Sequence, residues 1–276
     1  MRADRRAAAL AGAAARLAAA VLPLAALCAG IGALAGGGTG ALAGLAAAVV
    51  TVAVVSAYCD RLALSAMAAR PVSEVEHPEL YRLVRELSKA GRLPVPRLFL
   101  SPAEQPNSFT AGRNPRGAAI CCTEGLLAAL DEAELRGVLG HELAHVSGRD
   151  ILPATITAGL AAVLTFPAVA ARPLMLVLGP PAALVVRLSV TREREYRADT
   201  AGALLTGDPV VLASALRKIE SGAAELAQAA DARLSSVAHL MIVSPFHPGG
   251  LARLFATHPP AGERLRRLEA LAGYRR

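Results

Sequence analysis

Two long stretches almost without charge stand at the start of this chain, and they leave few folds open to it. Between Ala7 and Ala35 the only charged residue is Arg16, and between Ala41 and Ala57 there is none. Each is close to the roughly 20 apolar residues a helix needs to cross the hydrocarbon of a bilayer. Lipid offers no partner for a bare peptide group, so a run of this kind has to be helical. Gly36-Gly37-Gly38-Thr39-Gly40 between them supplies turn chemistry. The expectation is a membrane hairpin of two transmembrane helices within residues 1–70. A cleaved signal peptide would also begin with basic residues such as Arg2, Arg5 and Arg6, but its apolar core runs to only about 7–15 residues. Here a second apolar run follows at once.

Charge then orients the hairpin. Arg2, Arg5 and Arg6 precede the first run, the glycine turn is uncharged, and Arg61 and Arg70 follow the second. Positive residues stay on the cytoplasmic side, so both outer flanks belong there. The composition agrees: 54% of the chain is hydrophobic, yet aromatic residues make up 3% and tryptophan is absent. A third apolar region, residues 151–190, is broken by Arg172-Pro173 and Gly179-Pro180-Pro181. It is expected to form a hairpin that either spans with Arg172 near its far tip or lies re-entrant at the membrane. The net charge of +7 is spread over the membrane flanks and the C-terminal part, with no aromatic-studded basic face. A lipid bilayer with anionic headgroups is therefore the expected partner, and nucleic acid is not. Cys28, Cys59, Cys121 and Cys122 show no metal or disulfide spacing and read as free thiols.

Chemistry enters with His141-Glu142-Leu143-Ala144-His145. Residues four apart share one face of a helix, so His141 and His145 can hold one tetrahedral ion through neutral ring nitrogens. Glu142 then stands beside them to take a proton from the attacking water. The helical context is written locally: Asp131 and Glu134 form a capping-box pair, Leu135, Val138, Leu139, Leu143 and Val146 mark an apolar stripe, and Gly148 offers the stop. Two histidines and a water leave one protein ligand to find. The candidates are Glu195 and Asp199, again four apart in Arg192-Glu193-Arg194-Glu195-Tyr196-Arg197-Ala198-Asp199. One carboxylate would bind the metal while the other accepts a hydrogen bond from a ligand histidine. The plain alternative for this segment is a charged helix laced with Glu–Arg pairs.

At this point the chain resembles the HtpX-type membrane zinc proteases, gluzincins related to the type I CAAX prenyl proteases. The likeness runs from about Leu80 to Leu271. It rests on PNSFTAGRNP (Pro106 to Pro115), TEGLL (Thr123 to Leu127), HELAH, REYRAD (Arg194 to Asp199) and THPP (Thr257 to Pro260), in this order. The resemblance implies that Glu195 is the third ligand of a single zinc ion and Asp199 its neighbour in the outer shell. It also implies that His258 and Arg264 hold substrate or the oxyanion of the tetrahedral intermediate.

Around the metal helix, Pro78 to Ala90 reads as an amphipathic helix stopped by Gly91. Arg97–Leu100, Asn107–Ala111 and Ala118–Thr123 read as a small sheet, with Asn114-Pro115-Arg116-Gly117 as a turn. In gluzincins an edge strand beside the metal pairs with extended substrate; the strand beginning at Asn107 is the candidate here. Asp208-Pro209 opens a helix to about Ala227. Residues 235–260 read as irregular, with His239 and His247 as ordinary polar surface.

The fold expected is a mainly helical integral membrane protein carrying one α+β zincin-like catalytic domain, with a small sheet beside the HExxH helix. Residues 71–150 and 191–276 form its two parts around the apolar insertion. The function expected is a zinc endopeptidase in a bacterial inner membrane, multi-pass, with its active site facing the cytoplasm. It would cleave misfolded or damaged membrane and cytoplasmic proteins. The alternatives are a prenyl-peptide protease of CAAX type, an inactive scaffold of the same fold, or the same helix charged with cobalt or manganese.

Overall fold

The computed structural model describes residues 2–148, 151–246, 249–250, 252–255 and 257–273. Helix α1 (Arg2–Ala66) bends back on itself at Gly36 and Gly37, whose backbones leave the helical region; Gly37 has φ 58°. A left-handed φ is open to glycine at little steric cost. The two arms meet backbone to backbone: a Cβ on Gly40 would lie 2.0 Å from the carbonyl oxygen of Gly32, and one on Gly44 2.1 Å from that of Cys28. Close packing of small residues brings the two arms of this hairpin together. Leu22, Ile31, Leu34, Leu42, Val49 and Val50 are exposed on its outer surface.

Beyond the hairpin the chain alternates short strands with helices: β1 (Arg70–Pro71), α2 (Pro78–Gly91), β2 (Arg97–Ser101), β3 (Ser108–Ala111) and β4 (Ala119–Thr123). The sheet order is β1-β2-β4-β3, with β2 and β4 parallel and the outer pairs antiparallel, so β3 is an edge. The three predicted strands form within a residue or two of their expected bounds. Strand β1 was not expected, because two residues ending in proline carry no alternation to read. Asn114 shapes the turn after β3, its side chain accepting from the amide of Gly117 at 2.9 Å.

Helices α3 (Glu124–Ala129), α4 (Glu132–Gly148), α5 (Ile151–Thr165), α6 (Pro167–Ala170) and α7 (Met175–Ser189) follow. Next come α8 (Arg192–Thr206), α9 (Pro209–Glu225), α10 (Ala232–Val237), α11 (Ala252–Phe255) and α12 (Ala261–Gly273). The capping box opens α4 as expected: the Glu134 amide donates to Asp131 at 2.9 Å and the Asp131 amide to Glu134 at 3.1 Å. One apolar core joins α2, the sheet, α4, α9 and α12 through Leu83, Leu87, Ile120, Leu139, Leu143, Leu212, Leu216 and Leu268.

The apolar insertion packs along the second arm of α1. Gly159 lies against Val55, Cys59 and Leu62, and Ala162, Thr165 and Phe166 line one groove with Leu62, Ser65 and Ala66. Helix α5 therefore runs parallel to the second arm of α1. The tip brings Arg172 and Pro173 beside Ala230 and Ala232, at the end of the arm that enters the sheet rather than beside Gly37. Hydropathy could not show this, because most of α5 is buried by protein, and protein-covered and lipid-covered helices have the same composition. Among the described residues, two helical stretches are long and apolar enough to cross a membrane, Leu17–Ala66 and Arg172–Ser189.

Candidate metal centre

Helices α4 and α8 cross with almost nothing between them. A Cβ on Gly202 would come within 2.6 Å of the His141 backbone nitrogen, and one on Gly140 within 3.1 Å of the Gly202 carbonyl oxygen. This contact of two glycines sets Glu195, two turns before Gly202, opposite the histidine pair. His141 Nε2 and His145 Nε2 are 3.2 Å apart. Glu195 Oε2 lies 3.7 Å from the first nitrogen and Oε1 lies 3.8 Å from the second. A tetrahedral site with metal–nitrogen bonds of about 2.0–2.1 Å has ligand–ligand edges of roughly 3.3 Å, so the donor set fits zinc. Glu195 Oε1 is buried without a hydrogen bond; beside it lie His145 Nε2 at 3.8 Å and Arg194 Nε at 3.5 Å.

The outer contacts decide the tautomer. His141 Nδ1 lies 2.9 Å from Asp199 Oδ1, and Asp199 is gripped by Arg264 through Nε and Nη2, both at 2.7 Å. Burial alone would raise the Asp199 carboxyl pKa, but the Arg264 charge and its hydrogen bonds, with the bond to His141, hold it well below the usual range. Asp199 is thus an acceptor, His141 carries its proton on Nδ1, and the Nε2 lone pair faces the ligand cluster. For Glu195, burial pushes up while His145, Arg194, His258 and His141 pull down, and the result is lowered to about 2.

Glu142 is held from the sheet. Ser108 Oγ donates to its Oε1 and Thr110 Oγ1 to its Oε2, each at 2.6 Å. Sequence reasoning missed both hydroxyls. The signal was present: residues two apart on a strand share a face, and the face of β3 toward α4 carries two hydroxyls in a row. His258 is brought in, with Nε2 against the Ala238 carbonyl at 3.0 Å and Nδ1 4.0 Å from Glu195 Oε2.

Three expectations need correction. Arg264 does not face a substrate position: two nitrogens hold Asp199, and Nη1 donates to the Ile242 carbonyl at 2.6 Å. The reason is electrostatic, since a carboxylate as deeply buried as Asp199 requires a paired cation. His239 is not surface but buried, its Nε2 on the Ala154 carbonyl at 3.1 Å; burial, only partly offset by that bond, lowers its pKa to about 3. The outer edge of β3 is not open either. Met241 bridges Phe109 in antiparallel fashion and the Ile242 amide donates to Ser108 O at 2.9 Å. Asn107 spans the Val243 backbone, its Nδ2 donating to the carbonyl at 3.0 Å. His247 lies outside the described residues.

A buried His-Glu-His cluster with a carboxylate held beside it is equipped to bind a metal and move a proton, and comparison with known proteins gives that chemistry a family. Residues 74–272 match the family model "Peptidase family M48". A "Protease HtpX homolog" of Kineococcus radiotolerans is 53% identical over 236 residues, covering 78% of this chain and 80% of its own. One from Paenarthrobacter aurescens is 50% identical over 229 residues, covering 78% and 79%. Another from Bifidobacterium longum is 43% identical over 236 residues, covering 78% and 77%. With a family model spanning most of the chain and relatives this similar, the chain belongs to peptidase family M48 and is an HtpX-type metalloendopeptidase acting on polypeptides.

Proposed function

We propose that this metalloendopeptidase uses one zinc ion held by His141 Nε2, His145 Nε2 and Glu195. The observation that carries the reading is the convergence of these three donors in one buried cluster with the Glu142 carboxylate on the next residue of the same helix. Zinc bound there supplies Lewis-acid polarisation of the scissile carbonyl and acidifies the attacking water. Glu142 takes the proton of that water on a carboxylate oxygen and delivers it to the departing amine nitrogen. Ser108 and Thr110 hold that carboxylate in place between the two transfers. Asp199, charged and locked by Arg264, keeps His141 oriented. His258, beside Glu195, keeps its candidate role toward the oxyanion, a role that requires its Nε2 proton to leave the Ala238 carbonyl.

The apolar hairpin of α1 supports placement in a bacterial cell membrane, with the catalytic domain on the cytoplasmic side. The position of the α5–α7 tip beside Ala230–Ala232 supports the re-entrant form of the insertion. A catalytic centre at the bilayer surface suits misfolded or damaged membrane and cytoplasmic proteins as substrates, that is, protein quality control. All four chemistry-bearing residues being present and assembled argues against an inactive scaffold.

The test of the chemistry is Glu142→Gln in the full chain. It should retain bound zinc and lose hydrolysis by roughly 10²–10⁴-fold, the range general-base catalysis supplies; near-normal cleavage would remove Glu142 from the mechanism. Proteomics of membranes with the active and the Gln form would then name the substrates. A single cysteine at Arg172, in a chain whose four cysteines are replaced, should resist a membrane-impermeant thiol reagent in intact cells. Labelling would restore the spanning hairpin.

A further inference from the structure

The edge of β3, where an extended peptide would pair, is taken by the chain itself. His141, Glu142, His145 and Glu195 are each no more than 4% exposed, so nothing reaches them in this arrangement. Along that edge, beside the strand that holds Glu142, lie residues 240–243, Leu-Met-Ile-Val, and the anchors that tie them down are main-chain atoms. The Ile242 amide donates to Ser108 O, the Ile242 carbonyl accepts from Arg264 Nη1 at 2.6 Å, and the Val243 carbonyl accepts from Asn107 Nδ2 at 3.0 Å. The Val243 amide faces Asn107 Oδ1 at 3.5 Å. The side chains fill space only: Leu240, Met241 and Ile242 are all buried apolar groups.

Resting on the peptidase reading above, we propose that residues 240–243 are a resident strand occupying the substrate's place, and that cleavage requires an extended, apolar polypeptide segment to displace it. Any extended peptide offers the same amides and carbonyls, so the exchange conserves the hydrogen bonds of Ser108, Asn107 and Arg264. The incomer must also replace the apolar side chains, because leaving those pockets bare is unfavourable. Selection therefore falls on hydrophobic stretches that have lost their fold, with little regard to exact sequence. A folded or polar segment cannot compete.

Phe109 and Met241 form a bridge flanked by hydrogen bonds, a pair whose Cα atoms stand about 4.5 Å apart, within the range a disulfide spans. The double variant Phe109→Cys, Met241→Cys, in a full chain with the four native cysteines replaced, can pin the strand. Oxidised, it should keep its zinc while casein cleavage falls at least tenfold, and reduction should restore cleavage. Equal cleavage in the cross-linked and reduced forms overturns the proposal. Zinc-loaded reduced protein that cleaves nothing while the cysteine-free parent is equally inert would instead sink the peptidase reading. Should the double variant fail to fold, hydrogen exchange on Glu142→Gln gives the same answer. Saturation with unfolded casein, followed by anisotropy, should cut protection of the Ile242 amide at least tenfold and leave Cys121, paired with Phe109 on β4, protected. Ile242 protection unchanged with casein bound overturns the resident-strand proposal.

Discussion

The candidate metal cluster has two walls built in opposite ways. The inner wall is the crossing of α4 and α8: two regular helices, glycine against glycine, with His141, His145 and Glu195 fixed by spacing along each helix. The outer wall, residues 238–246, has almost no regular structure and is tied down by a few hydrogen bonds to Ser108, Asn107, Gln105 and Arg264. A wall made of periodic structure cannot move one residue without moving all of them. A wall of separate hydrogen bonds can be peeled away. The inner wall therefore sets the chemistry and the outer one sets access to it.

Substitutions can break this division or sharpen it. The largest effect is expected on the inner wall. Glu195→Ala should strip most of the zinc, while Asp199→Ala should lower metal affinity or activity by roughly 10–100-fold, the usual consequence of removing a group that orients a ligand. Metal analysis of both variants checks this, and wild-type zinc content in Glu195→Ala would move the third ligand elsewhere. Arg264→Met comes next, because Arg264 touches both walls. It leaves Asp199 buried without its cation, at a cost of about 3–5 kcal/mol. Thermal denaturation should show that loss, and zinc titration a weaker site; loss of neither would mean that Asp199 is not held by charge.

The smallest effect belongs to the outer wall and appears in pH. His239 is buried and neutral, with its pKa lowered from 6.5 to about 3, so the unfolded chain takes up a proton that the folded chain refuses. The unfolded state binds more protons between pH 6.5 and 3, and stability falls as pH drops through that window, by at most ~1.4 kcal/mol per unit from this one group. Above pH 6.5 the contribution is constant. His239→Gln should flatten the fall in melting temperature between pH 6.5 and 5 and leave zinc content at pH 7.5 unchanged. An unaltered slope would assign the acid sensitivity to other groups.

The same two walls divide what could be read before the fold was known. HELAH, the capping box of Asp131 and Glu134, and Glu195 with Asp199 one turn apart are periodic signals, and periodicity survives in the bare sequence. The strands β2, β3 and β4 were legible for the same reason. Residues 238–246 carry proline and no period, so their burial comes wholly from partners distant along the chain. His239 accordingly read as surface, and the edge of β3 read as open. For the insertion at 151–190 the apolar character was plain, but composition does not distinguish a helix covered by Val55, Cys59 and Leu62 from one covered by lipid. Arg264 was singled out correctly and given the wrong partner, since a short loop motif names a residue without saying what it faces.

The grip of Arg264 on Asp199 also has a consequence in time. The ribosome makes His141 first, Asp199 58 residues later and Arg264 65 residues after that. Until that last arginine emerges and α12 docks, the carboxylate that orients His141 lacks its counter-charge. A half-made chain thus holds His141 without the anchored carboxylate that orients it, and the site is complete only when the last helix is in place.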